Sequence, residues 1–159
     1  MKKYSCLLIV IFVFLSACAG VNSETKKSFK NTENTIVLKD LTSQDYRMMG
    51  AGSQLESALE GMIPRSMFVL SQGNSKYVLK YKILDYKEGS RVSRFATFGI
   101  SEAAHGRLEV KVALFENGDM VGGWTVDSWI KGGVSGGDPG TLFEQAANEI
   151  MDHLRGDFQ

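Results

Sequence analysis

The sequence predicts an α+β fold, a mostly antiparallel sheet of four to five strands with two helices on one face, in the order β-α-β-β-β-β-α. Three observations carry it. Two long stretches, Tyr77 to Tyr86 and Arg107 to Glu116, alternate apolar and polar residues with the period of a half-buried strand. The dipeptide Asn117-Gly118 directly after the second is a strong hairpin signal, since both positions tolerate the positive φ of a type I′ turn. Two further stretches, from Ala51 and from Thr141, place their apolar residues at helical spacing.

Thr35-Ile36-Val37-Leu38-Lys39 is a β-branched run and the first expected strand; Asp40 to Met49 gives no clear pattern. Leu55, Ala58, Leu59, Met62 and Ile63 then mark an amphipathic helix that Pro64 stops. Met67 to Leu70 reads as a brief strand, and Gln72-Gly73-Asn74 as a turn. In the first long strand Tyr77, Leu79, Tyr81 and Ile83 share the core face, with Val78, Lys80, Lys82 and Leu84 opposite. In the second, Leu108, Val110, Val112 and Leu114 point inward, and Glu109, Lys111 and Ala113 outward.

An uninterrupted two-residue hairpin pairs Leu114 with Val121 but leaves Trp124 and Val126 on the wet face. One extra residue at Gly122-Gly123 restores the pattern, setting Val112 opposite Trp124 and Val110 opposite Val126, so a β-bulge is expected there. The same register puts Trp129 beside Arg107 and Glu109 directly opposite Asp127. Thr141 and Glu144 have capping-box spacing ahead of a closing helix whose apolar stripe is Phe143, Ala146, Ala147, Ile150 and Leu154, with His153 on its polar side. Arg155 and Gly156 suit its end.

Ahead of this domain, Lys2 and Lys3 precede an apolar run from Leu7 to Leu15, the layout of a secretory signal. Leu7 to Ala19 falls well short of the ~20 residues needed to cross the hydrocarbon core. Leu15-Ser16-Ala17-Cys18 resembles a bacterial lipobox. That resemblance implies cleavage before Cys18, a diacylglycerol on its thiol and an acyl chain such as palmitate on its amino group. Each buried methylene contributes about 0.8 kcal/mol, so two or three chains make a membrane anchor effectively permanent. Ala19 stands where the resemblance would place an aspartate for inner-membrane retention. The expected location is therefore the outer membrane of the cell envelope, facing the periplasm.

Three segments follow: 1–17 as signal peptide, 18–34 as lipidated terminus and flexible tether, and 35–159 as one periplasmic domain. Asn22 to Asn34 is too polar to offset the entropy of ordering, and as a flexible chain reaches roughly 20 Å.

Eighteen basic against eighteen acidic residues, formal net charge zero, argue against nucleic acid, where a basic stripe is expected. Removal of Cys6 with the signal and lipidation of Cys18 leave no thiol for a disulfide or metal, and His105 and His153 alone do not make a zinc site. No cofactor is expected.

From Thr35 to Leu154 the chain resembles the bacterial lipoprotein family with domain of unknown function 4410. The resemblance lies in the Tyr77-Val78-Leu79 strand, the Gly99 to Gly106 approach to Leu108-Glu109-Val110-Lys111-Val112, and the glycine-rich run before the last helix. The layout is more distantly similar to the lipoproteins that activate peptidoglycan synthases and to the amino-terminal domain of TolB. Glu116-Asn117-Gly118 stands where the family has an aspartate with Thr-Gly. The resemblance implies a fold and an envelope location, with no established activity.

Candidate sites are few. Gly132, Gly133, Gly136 and Gly137 precede a helix whose amides could hold an anion, but the run lacks the endings and spacing of known phosphate loops and equally suits a flexible link. Glu109 with Asp127 could form a carboxylate pair; neighbouring Lys111 and Arg107 and water would relieve it. His105 near Ser101 and Glu102 has no elbow motif. The irregular stretch Glu88 to Gly106 carries Arg91, Arg94, Phe95 and Phe98, residue types enriched at binding hot spots. Either these phenylalanines tuck under the sheet, with an added strand over Val92 to Thr97, or they form a docking surface with Trp129. The expected function is a non-enzymatic, lipid-anchored accessory that binds another envelope protein. The alternative is a ligand-binding domain that takes an anionic envelope component on the glycine loop.

Overall fold

The structure is a computed structural model that describes residues 18–27, 35–89, 105–131 and 138–156. Its strands are β1 (Cys18–Lys27), β2 (Thr35–Asp40), β3 (Val69–Leu70), β4 (Tyr77–Lys87), β5 (Gly106–Glu116) and β6 (Asp119–Lys131); its helices are α1 (Gln44–Met48), α2 (Ala51–Met62) and α3 (Gly140–Arg155). A short 3₁₀ turn, Ile63–Arg65, follows α2 where Pro64 ends the helical pattern. The fold class is α+β, as expected. The sheet, however, is mixed and six-stranded, in the order β1-β6-β5-β4-β2-β3, and the described helices number three.

The parallel part is a single crossover. Strand β2 runs parallel to β4, with Val37 opposite Val78, and β3 adds parallel to β2 with Ile36 opposite Leu70. The chain between them is α1, α2 and the 3₁₀ turn, long enough for the crossover that parallel neighbours require. Alternation along one strand does not reveal its neighbour's direction, which is why a mostly antiparallel sheet was the sequence expectation.

The larger difference is β1. The tether expected over Asn22 to Asn34 overlaps an edge strand that pairs antiparallel with β6, Cys18 opposite Lys131 and Gly20 opposite Trp129. Polar composition misleads here because an edge strand needs only backbone partners and one lightly apolar face. Val21 packs against the core, and the Ser23 hydroxyl donates to Glu149 Oε1 on α3 at 2.6 Å.

Core packing follows the alternation. Tyr77, Leu79, Tyr81 and Ile83 of β4, Leu108, Val110, Val112 and Leu114 of β5, and Trp124 and Val126 of β6 are all buried beneath α2 and α3. Leu55 and Leu59 cover them from α2, and Phe143, Ala146, Ala147, Ile150 and Leu154 from α3. Each large aliphatic or phenylalanine side chain so buried contributes ~1.5–3 kcal/mol.

The β5–β6 hairpin turns at Asn117 (φ 52°) and Gly118 (φ 96°), the positive-φ pair of a type I′ turn. Val112 stands opposite Trp124, Val110 opposite Val126, and Arg107 opposite Trp129, the expected register. The extra residue is Val121, one position before the expected Gly122-Gly123: Met120 faces Phe115 and Gly122 faces Leu114. The missing side chain of Gly123 has another use, since a Cβ there would lie 3.1 Å from Met120 Cε.

A second bulge, not foreseen, falls at Leu84, between Ile83 opposite Val110 and Asp85 opposite Glu109. It turns Tyr86 into the core and leaves Leu84 39% exposed. Its backbone is satisfied from the β2–α1 region: Thr42 Oγ1 accepts the Ile83 N–H at 3.2 Å and the Tyr46 hydroxyl donates to the Leu84 carbonyl at 3.3 Å.

Helix α3 departs from the expectation at its start. It is preceded by Pro139 with no side-chain cap, and Thr141 lies inside the helix with its N–H bonded to the Asp138 carbonyl. The capping box therefore does not form. Gly156, at φ 78°, closes the other end as expected.

Candidate functional site

Two regions of the described molecule concentrate polar side chains: the β1–α3 seam and the open face of the sheet. On the seam, His153 is not on the polar side of α3 as expected; it is buried and stacks on Trp124 with ring centroids 5.1 Å apart. The helical period carries it inward beside Ile150 and Leu154, and the indole supplies a flat apolar surface for the ring. Burial pushes its pKa below the ordinary histidine value, against the opposing pull of Glu149 and Asp152.

Ser23, Glu149 and His153 come together but not as a nucleophile set. Ser23 donates to the Glu149 carboxylate, and His153 Nε2 lies 3.7 Å from the same oxygen. The hydroxyl thus faces a carboxylate rather than the imidazole that would have to take its proton.

On the open face, Glu109 and Asp127 stand opposite each other as the register requires, and Arg107 holds both. Its guanidinium donates to Asp127 through Nε at 2.9 Å and Nη2 at 3.0 Å, and to Glu109 Oε2 at 3.2 Å, while Asp85 lies 3.7 Å from Nη1. The hydrogen bonds to Asp127 hold the Arg107 pKa above its ordinary value. Arg107 thus ties the two opposed acids into one ion cluster on the sheet surface.

The next rows of this face are basic. Lys39 stands opposite Lys80, and Lys82 directly opposite Lys111. Lys80 lies over the Phe115 ring, 3.8 Å from its centroid. None of these four lysines has an ion pair among the described residues. Between them lies an apolar hollow of about 320 Å³, lined by Leu41, Ala113 and Phe115 along with three of the lysine stems.

Trp129 is half-buried on the same face, its ring across Gly20, where an added Cβ would lie 2.5 Å from Cζ2. Arg91, Arg94, Phe95 and Phe98, and with them the expected strand over 92–97, lie outside the described residues, as do Ser101, Glu102, Gly132, Gly133, Gly136 and Gly137. The helix start that the glycine run leads into is described and suits an anion poorly. Thr141 and Leu142 N–H groups already bond to Asp138 and Pro139 carbonyls, and Asp138 adds a negative charge there.

Cys18 opens β1, and its backbone is placed opposite Lys131. Among the described residues no helix is long and apolar enough to cross a membrane, and no group of three or more metal-binding side chains occurs.

No family model matches the chain, and no curated protein matches it. Solved structures do share the fold. A PelC dodecamer from Paraburkholderia phytofirmans superposes with a TM-score of 0.52 at 11% identity, over 83% of this chain and 97% of that one. Protein XCC0632 from Xanthomonas campestris, of domain of unknown function 330, gives 0.51 at 13% identity, over 82% and 86%. At these identities the chain is similar to both in fold.

Proposed function

We propose that this protein is a lipid-anchored lipoprotein of the outer membrane whose periplasmic domain is a non-catalytic binding module of the cell envelope. The observation that carries the reading is Leu15-Ser16-Ala17-Cys18 at the end of a short apolar run behind Lys2 and Lys3. The side-chain geometry supports a binding role over a catalytic one. The cross-strand acids Glu109 and Asp127 are both held by Arg107, and the Ser23 hydroxyl donates to a carboxylate. Meanwhile the open sheet face keeps uncompensated lysines around an apolar hollow.

The test is expression of the full chain and of Cys18→Ser with labelled palmitate, followed by envelope fractionation. The wild type is expected to carry label and fractionate with outer membranes; the variant is expected to lose label and be released. Membrane-bound, unlabelled wild type would overturn the anchor. A photocrosslinker at position 95 then tests the binding role: a discrete product that unlabelled competitor protein suppresses is the expected result.

A further inference from the structure

We infer that the open face of the sheet lies against the anionic phospholipid surface of the bilayer, with Lys39, Lys80, Lys82 and Lys111 on lipid phosphates and the Leu41–Phe115 hollow taking apolar lipid contact. The inference rests on the lipid-anchor reading of Cys18 and goes beyond it by naming which face of the domain meets the membrane.

Distance comes first. Because β1 begins at Cys18, no tether separates the anchored residue from the sheet, and a corner of the sheet is held at the membrane surface. A domain so held has only a few ways to lie, and charge selects among them. The overall balance of zero conceals an acidic helix layer and a sheet face that carries the lysine rows beside the Arg107 cluster with Asp85, Glu109 and Asp127. Helices α2 and α3 carry Glu56, Glu60, Glu144, Glu149 and Asp152, and Arg155 is the sole lysine or arginine on either. That layer is repelled by an anionic surface, and the sheet's lysine rows are attracted to it, so the field turns the sheet toward lipid.

The lysine rows also show the mark of an unmet partner. Directly opposed like charges destabilise a sheet. The opposed acids Glu109 and Asp127 have Arg107 to relieve them, whereas Lys82 and Lys111 have no described counter-ion. Lipid phosphates supply that charge. Leu41 at 47%, Met120 at 42% and Leu84 at 39% exposure lie around the same rows, placing apolar groups where an interfacial protein needs them.

The chain from residue 18 contains every described element and a single cysteine, so coupling Cys18 to a maleimide lipid recreates the anchor whether or not the cell attaches one. Lysine acetylation, read by mass spectrometry, then reports the face. On vesicles containing phosphatidylglycerol, Lys80, Lys82 and Lys111 should acetylate about 5-fold or more slowly than on pure phosphatidylcholine, the effect of ~1 kcal/mol per surface lysine. Lys80→Glu with Lys82→Glu should abolish the protection remaining at Lys39 and Lys111. Equal labelling on the two vesicles overturns the inference. So does protection that rises with protein concentration without vesicles, which would assign the face to a second copy of the chain. Failure of palmitate labelling in cells, by contrast, removes the natural anchor and leaves this result standing.

Discussion

His153 shows how far a side chain's role depends on what lies across from it. Its place in α3 is read from the helical period, but whether that position is wet depends on Trp124, which stands on a strand far away in sequence. Burial depresses its folded pKa, so below about 6.5 the unfolded chain binds the proton more readily and stability rises with pH. The contribution is fully present above that value and is lost as pH falls toward the folded pKa, with a slope of at most ~1.4 kcal/mol per pH unit. Thermal unfolding between pH 7.5 and 5.5 should show this slope, and His153→Gln should flatten it. Trp124→Ala removes the indole from the same contact and should cost ~3–5 kcal/mol by denaturant titration. The buried sides of β4 up to Ile83, of β5, and of β6 at Trp124 and Val126 were legible residue by residue because alternation encodes them. His153 was not, because a helix-only view counts a histidine as polar.

At the scale of elements, local chemistry was readable wherever one residue type has one use. Asn117-Gly118 announced its turn, Pro64 its helix end and Gly156 its cap, and the structure places each there. The bulge was legible as a need for one more residue but not as a position, since Val121 fills it and Gly123 instead makes room for Met120. Strand β1 and the Leu84 bulge were hidden because pairing partners and backbone hydrogen bonds leave little mark on composition. The strand makes a clear prediction: amides of Val21 to Thr25 should exchange with solvent far more slowly than those of a tether, by hydrogen-exchange mass spectrometry. Gly20→Val should speed that exchange and shift Trp129 emission, because the new side chain enters the space the indole occupies.

For the whole molecule, the sequence shows a near-neutral chain, and the structure shows how that neutrality is divided between an acidic helix layer and a partly basic sheet. The division was not legible beforehand, because lysines on alternate strand positions become one surface only when register sets β2, β4 and β5 side by side. Under the anchoring proposed above, one residue would set both position and orientation, because Cys18 is itself the first residue of β1. The decisive measurement is the intact mass of the protein extracted from envelopes. A chain that starts at Cys18 and exceeds its polypeptide mass by a diacylglycerol and an acyl chain is the predicted result. An unmodified chain, or one cleaved elsewhere with a free Cys18 thiol, would contradict it.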